Sequence, residues 1–293
     1  KLEYPAGLFN FVFCAFISVC QALFDIPKIY AISISGSVPV GRGIAQAAVG
    51  NFTKLQMEMG SKNALAVMED GDLDIAVAVA LGGAFGGTGQ KCTASSRLIV
   101  HEAVHDAFVD KLIAGAKAMK VGHALAEGTQ MGQVVSAQQL SENLEYVTIG
   151  ASEGADLACG GARLELGTDG YYMSPGVFLN TTNAMRINRE EMFAPLTAVI
   201  KVGSYDEALA TVNDTEFGLT SGIVTRDLAR ATHFRRNAET GVVTVNLPTA
   251  GTDYHVPFGG RGQSSYGPRE QGTYAREFYT TVKTAYIAAG EPK

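Results

Sequence analysis

Residues 29–49 read Ile29-Tyr30-Ala31-Ile32-Ser33-Ile34-Ser35-Gly36-Ser37-Val38-Pro39-Val40-Gly41-Arg42-Gly43-Ile44-Ala45-Gln46-Ala47-Ala48-Val49. A β-branched run over 29–35 gives way at Gly36 to a helical pattern over 40–49. The residues between them form a turn in which the first helical amides have no internal partner. A second apolar run at 55–59 follows. Strand, helix and strand in this order make a crossover unit, and crossover units build parallel sheets.

The same grammar runs through the rest of the chain. Strands are expected at 64–68, 97–101, 197–202, 221–225 and 241–246, and helices at 73–85, 103–119, 137–152, 205–212 and 228–237. Asp72 and Ser136 stand where N-caps belong, and Asp206 with Glu207 places negative charge in the first turn of its helix. Gly160-Gly161 and the glycines at 167 and 170 punctuate strands at 156–159 and 171–179. The fold class is α/β. The last alternating run, 278–287, reads as a terminal strand, which needs an edge to pair with and could find one on a partner subunit.

Composition bounds the function. The 293 residues carry 23 basic and 29 acidic side chains, a formal charge of −6, without a basic run. A polyphosphate backbone finds no electrostatic footprint here, so nucleic acid is excluded as a partner. Cys14, Cys20, Cys92 and Cys159 show no disulfide framework and no metal-ligand spacing, which points to a reducing, cytoplasmic compartment. The apolar stretch 8–24 could pass for a signal-peptide core or short anchor. Asn10, Ser18 and Gln21 interrupt it, and it is short of the roughly 20 residues a span needs, so a buried strand followed by a buried helix is the expectation and no membrane partner is assigned.

His101-Glu102-Ala103-Val104-His105 matches a zinc-protease pattern, but a strand reaching residue 101 would keep the two histidines off one helix face, and no metal site is assigned. The glycine-rich stretch 82–89 lacks the Gly-Lys-Ser/Thr ending of a phosphate loop and instead leads a flexible backbone into Cys92. As a lone cysteine Cys92 is either a small buried hydrophobe or a nucleophile. Glu58, at the end of an apolar strand, is either a solvent-facing strand end or a buried general base with a raised pKa.

Taken in order, these segments resemble the aldehyde dehydrogenase superfamily. Residues 32–37 resemble its cofactor turn, 57–63 (Met-Glu-Met-Gly-Ser-Lys-Asn) its general-base motif, and Gly89-Gln90-Lys91-Cys92 its nucleophile motif. Residues 190–195 (Glu-Glu-Met-Phe-Ala-Pro) resemble its ribose-binding segment, and Pro257-Phe258-Gly259-Gly260 with 264–267 its C-terminal signature. The resemblance implies a partial Rossmann-type cofactor domain (1–61), a parallel-sheet α/β catalytic domain (62–260) and a C-terminal return with an oligomerisation strand (261–293). It implies that Cys92 attacks an aldehyde, that Glu58 activates the water that hydrolyses the thioester, and that NAD or NADP takes the hydride. Gly36, Ser37, Gly41, Gly60, Glu191 and Phe193 would bind the cofactor, Phe258 would border the substrate, and a homodimer or tetramer would form.

Residues 246–251 and 267–272 look most like dehydrogenases of 2-oxoglutarate semialdehyde (2,5-dioxopentanoate). Departures from the family pattern occur at Cys14, Phe16, Cys20, Ser61, Gly86, Gly87, Ala194 and Gly262, and the family's earlier strands and its oxyanion-hole Asn lie before the part matched here. The competing expectation is a non-catalytic chain that folds and associates without turnover.

Overall fold

The computed structural model describes residues 5–13, 22–24 and 26–290. A large sheet dominates it, with strands in the order β11-β10-β3-β4-β9-β8-β5, every neighbouring pair parallel except β5 with β8. These strands are β3 (Ala64–Val67), β4 (Arg97–His101), β5 (Asp156–Cys159), β8 (Gly176–Leu179), β9 (Leu196–Val202), β10 (Thr220–Val224) and β11 (Val242–Val245). A smaller sheet holds β1 (Ala31–Ser35) parallel to β2 (Lys54–Glu58), with the short β12 (Ser265–Tyr266) returning antiparallel on the other side of β2.

Period-two alternation in β3 explains the layering. Leu65 and Val67 point into a core with α2 (Leu73–Phe85) and α3 (Glu102–Ala118), where they meet Ala76, Ala80, Phe108 and Leu112. Ala64, Ala66 and Met68 point the other way, onto Ala208 and Val212 of α6 (Tyr205–Asn213) and Phe234 of α7 (Leu228–Asn237). A strand buried on both faces reads as a continuous apolar run, which is why Ala-Leu-Ala-Val carries no polar residue. A third core gathers Leu140 of α4 (Ala137–Ser152), Phe178, Ile187, Leu196 and Ala198. Asp72 caps α2 by accepting from the amides of Asp74 and Ile75, and Ser136 caps α4 by accepting from Gln139 N at 3.1 Å.

Three expectations are corrected. Residues 278–279 are helical rather than strand, and 280–287 pair with no strand among the described residues of this single copy. A short helix (Ala275–Tyr279) enters the run, and Val282, Tyr286 and Ile287 are almost fully exposed, because among the described residues no sheet edge lies beside them. The expected strand over 171–179 divides into β7 (Tyr172–Met173), paired with β6 (Arg163–Leu164), and β8, with Pro175 between them lacking the amide that a continuous ladder would use. In the stretch 8–24, Phe9, Phe11 and Phe13 are exposed and no strand includes them, since an apolar run becomes a strand only against a neighbour; residues 14–21 lie outside the described residues. No described helix is long and apolar enough to cross a membrane.

Candidate active site

Five residues, 59–63, carry the chain from β2 of the small sheet straight into β3 of the large one. At that crossing lies a cavity of about 730 Å³. Ser35, Gly36 and Ser37 line it from the turn between β1 and α1 (Val38–Val49), Met59 and Gly60 from the crossing, and Cys92 from the loop before β4. Glu191, Met192 and Phe193 line it from the segment before β9. Gly36, Ser37, Gly60, Cys92, Glu191 and Phe193, singled out from the sequence, thus converge on one space.

Ser37 is the N-cap of α1 but its side chain makes no capping bond, and Pro39 occupies an early position where no amide is needed. Gly41 N is the first helical amide to find a carbonyl, that of Ser37, at 2.9 Å. The start of α1 therefore presents open donors and the positive end of a helix dipole beside the cavity.

Glu191 is drawn into the crossing: its Oε1 accepts from Ser61 N at 3.0 Å, and an added Cβ on Gly60 would run into its Oε2. The Glu191 carboxyl thus lies against the Gly60 backbone. Burial pushes the Glu191 carboxyl up, while the Ser61 amide and Lys62 pull it back.

Cys92 is half-buried and unpaired. Its thiol is pushed up by burial and then by Glu58, Glu191 and Glu270, against a backbone hydrogen bond that lowers it. The loop that carries it is fixed by Asn63. That buried amide donates to Cys92 O at 2.8 Å and to Ala94 O at 2.9 Å, while its oxygen accepts from Ser61 Oγ at 2.6 Å and Thr220 N at 3.0 Å. Asn63 satisfies all these groups at once and so sets the position of the sulfur.

Glu58 is 4% exposed, and it does not line the cavity. Its carboxyl is turned to the return segment, where Ser265 Oγ donates to Oε2 at 2.6 Å. Gln56 Nε2 stands 3.4 Å from Oε1. Burial pushes the pKa up to about 7, with Glu270 adding to the rise, while Ser265, Arg269 and Gln56 oppose it. The solvent-facing alternative for Glu58 is thereby excluded.

Other residues fall elsewhere. Gly41 does not itself line the cavity: it packs against the side chain of Met59, which does. Phe258 is buried away from the cavity, in a backbone bridge with Glu270 (Phe258 N to Glu270 O, 2.8 Å). His101 ends β4 and caps α3 by accepting from Ala103 N, so it shares no helix face with His105. No group of three or more His, Cys, Asp or Glu is gathered as metal ligands among the described residues.

Several lining residues escaped the sequence reading. Gln139, Glu142 and Tyr146 line the cavity from α4, and Arg186 lines it while making a bidentate pair with Glu190, to which Tyr146 OH also donates at 3.0 Å. The only signal for the α4 residues was their i, i+3 and i+7 spacing on one face, polar in a helix that otherwise buries Leu140.

The Aldehyde dehydrogenase family pattern matches residues 1–285. An alpha-ketoglutaric semialdehyde dehydrogenase of Bacillus subtilis (strain 168) is 41% identical over 97% of this chain, and a betaine aldehyde dehydrogenase of Brucella melitensis is 38% identical over 98% of it. The chain spans 58% and 59% of those two relatives, less than two thirds of their length. Among solved structures, betaine aldehyde dehydrogenase from Staphylococcus aureus in complex with NAD+ superposes with a TM-score of 0.86 at 30% identity, covering 89% of this chain and 52% of that one. HpcC from Thermus thermophilus gives 0.88 at 35% identity, covering 94% and 54%. On sequence and on fold alike, the chain belongs to the aldehyde dehydrogenase family.

Proposed function

We propose that this chain carries the thiol, base and cofactor-binding residues of an NAD(P)-dependent aldehyde dehydrogenase, with 2-oxoglutarate semialdehyde as the aldehyde. The observation that carries the reading is the convergence of Cys92, the open start of α1 and Glu191 on one cavity, with the buried Glu58 behind it. Similarity to the alpha-ketoglutaric semialdehyde dehydrogenase supports the choice of aldehyde.

The residues present fit a dinucleotide. Unpartnered amides at the start of α1 suit a pyrophosphate, and a carboxylate held by Ser61 N suits a ribose hydroxyl pair. Gly36 leaves room for close approach, and Ser37, Gly60 and Phe193 border the cavity. When bound, the cofactor supplies a two-electron acceptor for hydride.

Cys92 Sγ, as thiolate, adds to the aldehyde carbon, forming a C–S bond and an alkoxide. Loss of hydride from that carbon leaves a thioester. Glu58 then takes a proton from water as the water oxygen bonds to the acyl carbon, the C–S bond breaks, and the carboxylic acid leaves with the thiolate restored. The same reading divides the chain at 61 and 260 and assigns it to the cytoplasm as a homo-oligomer.

Cofactor reduction by a panel of aldehydes tests this. Cys92→Ser is expected to abolish it, and Glu58→Gln to allow about one reduced cofactor per site before turnover stalls. Unaltered turnover in Cys92→Ser would refute the reading; silence in every form would favour the non-catalytic alternative. With Glu58 pushed up to about 7, turnover should rise with pH through about 7 as the base ionises.

A further inference from the structure

Glu58 faces a difficulty in the reaction just proposed, on which this inference rests. A general base must reach the proton it takes directly or through one water, and the Glu58 carboxyl is hydrogen-bonded to Ser265 and Gln56, off the lining of the cavity that holds Cys92. The sheet register shows what holds it elsewhere. Ser265 on β12 pairs directly with Glu58 on β2, so their side chains rise on the same face as cross-strand neighbours. Gln56, two residues earlier on β2, shares that face and pairs across to Ser33 of β1, whose hydroxyl donates to Gln56 Oε1 at 2.5 Å. Both oxygens of Glu58 are thereby engaged, Oε2 by Ser265 and Oε1 by the Gln56 amide.

The Ser265 hydroxyl is itself oriented. Gly260 N donates to its oxygen at 2.6 Å, which leaves the hydroxyl proton aimed at Glu58 and polarises the bond. Gly259 completes the seat: a Cβ there would come within 2.8 Å of Glu58 Oε1 and 2.6 Å of an Arg269 nitrogen.

We propose that Ser265 is a positioning residue that, with Gln56, clamps the Glu58 carboxyl in a resting seat outside the Cys92 cavity, from which it must be released to activate water. The charged groups around Glu58 are Arg269 and Glu270 on the return segment and the Cys92 thiol from the loop; its own strand and β1 contribute only the neutral Gln56, Ser33 and Ser35.

The test reads Glu58 itself. Infrared pH-difference spectra show the protonated carboxyl C=O stretch, assigned by its loss in Glu58→Gln. Wild type is expected to titrate near 7. Ser265→Ala and Ser265→Gly remove a donor that favours the charged form, and either should raise the midpoint by about one unit, a roughly tenfold change in proton affinity. Ser265→Thr, which keeps the hydroxyl, should restore it. An unmoved or lowered midpoint in both folded variants overturns the clamp whatever the turnover.

Release is tested separately by the burst of reduced cofactor and the hydrolysis phase after it. Well above both midpoints, hydrolysis in Ser265→Ala should run several-fold faster than in wild type while the burst rate stays put. Equal or slower hydrolysis overturns the resting seat. A raised midpoint without any cofactor reduction, in wild type or variants, would retain the Ser265 contact and defeat the dehydrogenase reading instead.

Discussion

The two sheets obey the same strand–helix grammar and end up with opposite physical characters. In β10 all five residues are buried, and in β3 all four, while in β1 none is. Helices cover the large sheet on both faces; α1 is the main cover of the small one, where it buries only Gly41, Ile44 and Ala48. The cavity draws on both. The large-sheet side contributes the groups whose position matters to fractions of an ångström, Cys92 and Glu191, and the small sheet contributes the turn at Gly36 and Ser37. The division sets the reacting groups on the buried sheet and the turn that would meet a ligand on the exposed one.

The contrast breaks most readily at Arg97, at the start of β4. This guanidinium is 1% exposed and has no carboxylate against it among the described residues. It donates instead to Lys62 O (from Nε at 3.1 Å and Nη2 at 2.9 Å), Thr211 O and Asn183 Oδ1 (both 2.9 Å) and Val212 O (3.1 Å). It ties the β2–β3 crossing to the end of α6. Arg97→Met keeps the volume and strands several buried carbonyls, at about 1–3 kcal/mol for each left unpaired. The expected loss is about 3 kcal/mol or more, read as a lower urea midpoint with unchanged slope. A loss under about 1 kcal/mol would mean that the large sheet does not depend on this tie.

A matched pair sharpens the comparison at smaller cost. Leu65→Ala in β3 empties a fully buried site and should destabilise by about 2–5 kcal/mol. Ile32→Ala in β1, at a half-buried position, should cost about 1 kcal/mol or less. Equal losses would show that the small sheet is sealed by something beyond the described residues. A weakened cofactor response in Ile32→Ala with nearly native stability would show the small sheet acting as a ligand cradle.

Most of the fold was legible because its signals are local. The helices at 73–85, 137–152 and 228–237 match their observed bounds, since Asp72, Ser136 and Asp227 each accept from amides of the first turn and so fix where the helix starts. The strand at 278–287 was not legible, because alternation specifies a face and not a partner. At the site, Cys92, Glu58 and Glu191 could be picked out by residue type and order. Ser265, Gln56 and Asn63 could not, because their roles come from register and from loops joined across the fold: Ser265 lies 207 residues from Glu58. A hydroxyl beside a carboxylate leaves no mark in a sequence when the strand pairing that joins them is not itself written there.

The finest division between the two sheets falls within the crossing, where Glu58 and Lys62 are buried four residues apart and titrate in opposite senses. Lys62 is 1% exposed, its Nζ has no hydrogen-bond partner among the described residues, and burial with Arg97 nearby lowers its pKa to about 7 against the pull of Glu191 and Glu190. Between about 7 and its ordinary value of 10.5 the unfolded chain holds a proton that the folded chain has released, so stability rises with pH there. Glu58 does the reverse: between 4.5 and about 7 the folded chain holds a proton that the unfolded chain lacks, and stability falls as pH rises. Together the two groups place a trough in stability near pH 7, each arm sloping by at most ~1.4 kcal/mol per pH unit. Urea midpoints measured across this range should show Glu58→Gln flattening the acid arm and Lys62→Met the alkaline arm, each leaving the other in place. If Lys62→Met instead flattens both, the two groups titrate as one unit, and the crossing couples the sheets electrostatically rather than merely joining them.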